Sequence, residues 1–587
     1  MLATEPSESA RTHAAASVGA LPAPAFLCGL FLLALLRLAA CYLVHHPDER
    51  HYTDAGITMV QTGDWLTPRR PDGSLRFNKP ILPYWCVAVS YTFFGIGPFA
   101  SRLPFLLAGC GTIWMTYQLA KLVGQSEAAG RWAALVALGN LQLVLAATRS
   151  IPDILLGLFT TLSVYGALAV VVYGRRDWKS YAAMYLGMGL AIASKGVPAV
   201  IVIGAVVAGA IVYGKKWSDF KNYLHWPTMA LGLCLAGGWF ATVYVVHGSQ
   251  SLGEFAHDQV GTRFEVAPLA QLMRAGAFLL WCALAGLPWI VPLAVARMRG
   301  RFTLDEPRQR TAIISLATGI VALAIAASFC NVVSARYIVP VVPLVAVWLG
   351  NMLASVERQK IEPILRWLLL ALCLGLCAIG VALTAANIQT SHPWLAAGCA
   401  AAFTAIIFGV LIRNLGRHSG HAMVDFGLVK LALFPALCVG LFAFLTPDEG
   451  ELIVQRLLQG EPHAPAVQLI GKPTLASKMR VFDHGHTPLA ALEFPPPNFV
   501  STYDLVLISD QSKLKQLDLR EFQISEFPSG IGRLKERDVL HALCRGELGA
   551  YLGEHQKRCY VAVRKDAQQS VISSMVSDAN TEASFSR

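Results

Sequence analysis

Charged side chains are scarce in this chain. Asp, Glu, Lys and Arg make up 14% of its 587 residues, against about 25% in ordinary soluble domains. That shortage, with 55% hydrophobic residues and a mean hydropathy of +0.50, excludes a soluble globular protein and leaves a polytopic membrane protein. No basic patch collects on one polar segment, so the net charge of +11 is not the footprint of a nucleic-acid partner. No internal repeat recurs at a solenoid period. Strong zinc-type spacing of Cys and His is also missing. Of the 13 cysteines, 11 lie in or beside apolar runs, where Cys behaves as a small hydrophobe.

Long apolar runs are what the chain has in abundance. A spanning helix needs roughly 20 apolar residues. Thirteen candidate spans fall near 24–44, 103–121, 132–148, 152–173, 180–194, 197–213, 226–246, 272–296, 311–329, 338–353, 363–384, 393–412 and 425–445. The run from Leu21 is long for a signal peptide and is read as a retained first span. Basic residues cluster in alternate loops: Arg175, Arg176 and Lys179; Lys215, Lys216 and Lys221; Arg297 to Arg310; Arg358 and Lys360; Arg413 and Arg417. The positive-inside rule puts those loops in the cytoplasm. Residues 81–97 are apolar but short, with Pro83 and Gly95. A crossing there would reverse every later loop, so the segment is expected to be interfacial or re-entrant.

With that parity, ionisable residues gather near the outer ends of spans: Asp48, Glu49, Lys79, Arg102, Arg149, Asp153, Lys195, His257, Arg263, Arg336 and Tyr337. A charge at a helix centre costs roughly 2.5–3.5 kcal/mol on insertion scales. So many on one side imply one shared polar site opening outward. Snorkelling to headgroups is the alternative for any single Arg or Lys.

Residues 1–445 are thus expected to form the membrane domain, with a catalytic outer loop at 45–102. From 446 the composition turns polar. Strand-like runs at Leu505–Ser509 and Cys559–Val563, with a helical pattern at 535–553, predict a small outward-facing α/β domain over 446–567. The Ser-rich tail 568–587 is expected to be disordered. Outside the cell membrane disulfides persist, so a Cys544–Cys559 bridge is expected, with two unpaired thiols as the alternative.

The first outer loop holds the sharpest chemical signal. Pro47-Asp48-Glu49 begins it, and adjacent carboxylates suit general-base or metal work. Tyr52 and Asp54 follow, then Gly63-Asp64-Trp65, then Asn78-Lys79-Pro80 and Tyr84-Trp85. His45, His46 and His51 flank the carboxylates, and Asp483-His484-Gly485-His486 lies far downstream; a divalent metal at the first group stays open. Arg69 and Arg70 suit anionic headgroups or acceptor phosphates, or simply a solvated turn around Pro71-Asp72-Gly73.

The ordered set P-D-E-x-x-Y, G-D-W, K-P-x-x-x-Y-W and Arg102-Leu103-Pro104 resembles the GT-C fold membrane glycosyltransferases of the protein mannosyltransferase and aminoarabinose (lipid A) transferase group. Arg149-Ser150-Ile151-Pro152-Asp153, Ser194-Lys195-Gly196 and Arg336-Tyr337-x-x-Pro340 resemble later motifs of that group, so the likeness covers roughly 26–353. It implies a polyprenyl-phosphate-dependent transferase of the bacterial inner membrane. The donor would be an undecaprenyl phosphate sugar, with 4-amino-4-deoxy-L-arabinose the leading choice. The acceptor would be lipid A or another glycolipid, and the C-terminal domain would be periplasmic. Asp48, Glu49 and Asp153 are the implied catalytic carboxylates. Lys79, Arg263, Arg336 and Tyr337 are implied to hold the donor phosphate, with Tyr52, Tyr84, Arg102, Arg149, Lys195 and His257 as further site candidates. The resemblance makes no cofactor certain, and a divalent metal stays possible. Whether Asp48 acts as base or as electrostatic stabiliser stays open.

Two departures stand out. The family's E-H-x-x-R-F is here stretched to Glu254, His257 and Arg263-Phe264, and Asn78 replaces an acidic residue before Lys-Pro. Transfer to protein or to another glycan is the alternative within the class. A transporter or lipid flippase is the alternative outside it, but that class predicts midplane charges and inverted repeats, which the sequence lacks.

Overall fold

The computed structural model describes residues 21–40, 45–256, 268–294 and 306–356, then 449–565, the later stretches with interruptions of which 458–466 is the longest. Between 357 and 448 it describes scattered positions only. The expected span at 393–412, most of those at 363–384 and 425–445, and the tail 568–587 therefore lie outside the described residues.

The helical part begins with α1 (Pro24–Ala39), α2 (Glu49–Thr62), α3 (Leu82–Phe94) and α4 (Pro98–Gly124). Next come α5 (Glu127–Leu138), α6 (Leu141–Ala147), α7 (Asp153–Val171), α8 (Trp178–Lys195), α9 (Val197–Gly214) and α10 (Trp226–His247). After them come α11 (Ser249–Ala256), α12 (Pro268–Gly286), α13 (Pro307–Ser328) and α14 (Val342–Ser355). Among the described residues five helices, α7, α9, α10, α12 and α13, are long and apolar enough to cross a membrane. The expected span at 132–148 is not one straight rod: α5 and α6 meet at 69°. Asn140 causes the break, because its side-chain oxygen accepts from the backbone of Gln142 and Leu143 and restarts the helix. The segment at 81–97 contains α3, whose 13 residues reach only about 20 Å, short of a hydrocarbon core of about 30 Å.

Small residues let the helices meet closely. A side chain on Gly166 of α7 would come within 2.2 Å of the Met184 backbone of α8, and one on Gly189 of α8 within 2.4 Å of Gly232 O in α10. In lipid, where water gives no drive to association, such backbone contact is what packs helices.

The C-terminal part comprises α15 (Glu449–Leu457), β1 (Val467–Ile470), α16 (Pro473–Phe482), β2 (Leu489–Leu492), β3 (Leu505–Ile508), β4 (Phe522–Ile531), α17 (Glu536–Arg545) and β5 (Gln556–Arg564). The sheet order is β2-β1-β3-β5-β4, parallel among the first three strands and antiparallel beyond. Every residue of β1 and β3 is buried, as expected for central strands covered on both faces. The expected Cys544–Cys559 bridge is corrected here: both thiols are free. Cys559 on β5 points into the core beside Leu469 and Leu507, while Cys544 on α17 is exposed, so the two face different surroundings.

Candidate active site

Helix α2 carries the first carboxylates to the site. Its C-terminal stop is Gly63, at φ 73°, a left-handed conformation that glycine adopts without strain. Asp48 holds the N-cap position, but its side chain makes no capping bond. The carboxylate is left free to turn outward. Arg336 Nη2, from a short helical turn at Ala335–Ile338, donates to Asp48 Oδ2 at 2.8 Å. Arg336 Nη1 lies 3.3 Å from His46 Nε2, and the Asp48 N–H donates to His46 Nδ1 at 3.1 Å. Burial by itself would raise the Asp48 carboxyl, but Arg336 outweighs it and the pKa falls below the usual value. Burial and Arg336 together lower His46, so it is a neutral imidazole at neutral pH.

A second ion pair stands beside the first. Lys195, at the end of α8, donates to Asp153 at 2.5 Å, where Asp153 opens α7 and is buried. Tyr337 joins the pairs: Lys195 Nζ lies 5.0 Å and Arg336 Cζ 5.7 Å from its ring centroid, within cation–π range. Burial alone would lower the Arg336 guanidinium, but Asp153 and Asp48 raise it instead, so it interacts with both acids. Residues far apart in the chain thus meet in one alternating array of acids and cations.

Glu49 differs from its neighbour. Both Glu49 and Arg102 are fully buried. Arg102 Nε and Nη2 donate to the two carboxylate oxygens at 2.8 and 2.9 Å, and the backbone N–H groups of Ser150 and His46 donate at 3.0 and 2.7 Å. Burial would raise this acid, yet Arg102, His45 and those donors hold it at about 2. Its oxygens are fully engaged, so the geometry makes it an anchor for α2 rather than a group that meets substrate. Arg102 is likewise structural, its third nitrogen donating to Leu38 O at 3.1 Å.

The other expected residues are distributed as follows. Tyr52 and Tyr84 are buried with ring centroids 5.0 Å apart, and Asp48 and Asp153 both act electrostatically on Tyr52. Arg149 is half-buried and acts on His46. Lys79 is half-buried in the turn leading to α3, after Asn78. His257 and Arg263 lie outside the described residues. His51 is lowered to about 3 by burial and by Arg76 and Arg50, with Arg70 acting in the same sense, so one wall of the site is strongly cationic. Among the described residues no group of three or more His, Cys, Asp or Glu is placed to hold a metal.

Residues 78–240 match the model of the dolichyl-phosphate-mannose-protein mannosyltransferase family. The fold overlays ArnT from Cupriavidus metallidurans bound to undecaprenyl phosphate with a TM-score of 0.63 at 17% identity, covering 92% of this chain and 97% of that one. This chain shares the GT-C fold of that structure. The undecaprenyl phosphate-alpha-4-amino-4-deoxy-L-arabinose arabinosyl transferase 1 of Proteus mirabilis is 28% identical over 205 residues, 34% of this chain and 37% of that protein. An uncharacterized protein of Aquifex aeolicus is 27% identical over 237 residues, 39% of this chain and 47% of that protein. The matches thus span less than half the length of these curated relatives.

Several residues of the candidate site carried no motif signal. His46 was visible only as one of three loop histidines, and nothing local shows that it bridges Asp48 and Arg336. The G-D-W motif is scaffolding. Asp64 Oδ1 accepts from the N–H groups of Leu66 and Thr67, and Trp65 O accepts from Trp85 Nε1 at 2.8 Å. Trp239 Nε1 then ties Leu66 O to α10 at 3.0 Å.

Proposed function

We propose that this chain is an integral membrane glycosyltransferase that moves a sugar from a polyprenyl phosphate to an acceptor at the outer face of the bacterial inner membrane. The observation that carries the reading is the linked set Asp48–Arg336–Tyr337–Lys195–Asp153. When the sugar leaves, negative charge grows on the lipid phosphate, and preorganised cations stabilise it. Arg336 and Lys195 are cations of the right kind, the guanidinium gripping two oxygens and the ammonium acting as a point charge. The anomeric carbon becomes positive, and a facing carboxylate stabilises it as in glycoside hydrolysis. Asp48 has that role, because its low pKa keeps it ionised and its side chain is partly open. With a hydroxyl acceptor it would also take the proton; with a phosphate acceptor no base is needed.

The most specific version transfers 4-amino-4-deoxy-L-arabinose from undecaprenyl phosphate to a lipid A phosphate, the donor named for the relative in Proteus mirabilis. Asn78 favours a second version, in which a sugar without an amine is moved, since no carboxylate stands at that place to meet an ammonium group. The C-terminal domain faces the periplasm in either version. Mass spectrometry of lipid A from cells with and without the chain decides between them: a gain of one aminopentose supports the first, a gain of a sugar without an amine the second. Asp48→Asn in purified protein should abolish transfer while the folded protein survives. Wild-type rates in that variant would remove the proposal's central carboxylate.

A further inference from the structure

The C-terminal domain touches the same helix that carries Asp48. Four residues on one face of α2 receive it. Thr53 Oγ1 and Ser477 Oγ are 3.1 Å apart and buried. Arg480 Nη1 donates to Asp54 Oδ1 at 3.2 Å, with side chains 12% and 9% exposed. Gln61 Nε2 donates to Gly485 O at 2.7 Å. A side chain on Gly485 would come within 3.2 Å of Ile57 Cγ2. His484 Nδ1 lies 2.6 Å from Ile96 O, in the loop after α3, so the turn sits between α2 and α3.

The turn is built for that fit. It ends α16 with two residues in the left-handed region, His484 at φ 55° and Gly485 at φ 75°. The Gly485 N–H closes the helix on Arg480 O at 2.8 Å. Helix α16 serves two cores at once: Leu475 and Met479 pack under the sheet, while Val481 packs with the helical bundle. The Asp483-His484-Gly485-His486 motif is therefore a docking wedge.

We propose that the C-terminal domain is a positioning element for the transfer site, with Ser477, Arg480 and Gly485 holding α2 so that Asp48 meets Arg336 and substrate in one geometry. The N-terminal end of α2 is pinned to the bundle through Glu49 and Arg102. The flank from Thr53 to Gln61 is pinned by the C-terminal domain. Loss of the second hold lets the helix tilt about the first. A displacement of about 1 Å at a reacting group costs on the order of a hundredfold in rate. This rests on the reading that Asp48 serves the transfer.

The test uses the full chain in detergent with a polyprenyl phosphate sugar and acceptor. Arg480→Gln and Gly485→Ala should each lower kcat by about tenfold or more, with donor KM little changed, since neither residue meets the donor. Thr53→Cys/Ser477→Cys should cross-link on oxidation, because the two oxygens are already at 3.1 Å. That bridge, added to Gly485→Ala, should restore kcat, and reduction should abolish the rescue. A purely structural defect would not recover in this way. Normal kcat in Arg480→Gln and Gly485→Ala, with Asp48→Asn inactive, overturns the positioning role alone. Failure to cross-link overturns the docking. No transfer by the wild-type chain, or full transfer by Asp48→Asn, overturns the parent reading and this one with it.

Discussion

Removing Arg102 should destabilise this protein more than almost any other single change. Glu49 and Arg102 are both inaccessible to solvent, and the Glu49 carboxylate takes four donors, two of them from Arg102. Arg102→Met would leave a buried carboxylate with only the two backbone N–H groups. Breaking a buried pair from one side costs about 3–5 kcal/mol. The lowered pKa of Glu49 follows from the same contacts. Its depression from 4.5 to about 2 corresponds to roughly 3 kcal/mol of preference for the ionised form in the folded state. Because the folded pKa is the lower one, this stability is fully present above about pH 4.5 and is lost as pH falls toward 2. Denaturant titration of the purified protein at neutral pH should therefore show Arg102→Met weakened by about 3–5 kcal/mol. Glu49→Gln should lack the acid-dependent loss between those two pH values that the wild type shows. Glu49→Gln/Arg102→Met should lose less than the sum of the single variants, because no uncompensated carboxylate remains. Stability of Arg102→Met within about 1 kcal/mol of wild type, the range of an exposed pair, would refute the reasoning.

Two further outcomes follow from the same contacts. Burial pushes the Asp54 carboxyl up to about 6 despite Arg480, so the stability it contributes is fully present below the usual value of 3.8 and is lost as pH rises through about 6. The denaturation midpoint of the wild type should fall between pH 5 and pH 8 by more than that of Asp54→Asn, and equal falls would refute the assignment. Gly166→Ala would drive a methyl group to within 2.2 Å of the Met184 backbone; overpacking of about 1–3 kcal/mol should appear as a lower denaturation midpoint, and an unchanged midpoint would show that α7 and α8 pack less closely.

The candidate site was legible in part. Asp48, Asp153, Lys195, Arg336 and Tyr337 stood out because polar residues at the ends of apolar runs are costly and so need a reason. Glu49 illustrates what stayed hidden. Beside Asp48 in the chain, it has the same chemistry, and only its burial against Arg102 separates anchor from reactive acid. The break at Asn140 was missed because Asn sits within an otherwise apolar run, and its capping bonds depend on the bend they create. The unpaired Cys544 and Cys559 were misjudged because compartment permits a disulfide but orientation decides it. Asp483-His484-Gly485-His486 read as a loop with metal-like residues, whereas its backbone turn is what matters.

By itself the sequence settled the solvent. Partition of a segment into a bilayer depends on its own composition and length, so scarce charge and long apolar runs identify a membrane protein from one dimension. Pairing is a different kind of fact. Asp48 meets Arg336 across 288 positions and Asp54 meets Arg480 across 426. Which acid faces which cation, and which is sealed away, depends on helices packing at the distances their glycines allow. Only the tertiary structure decided that.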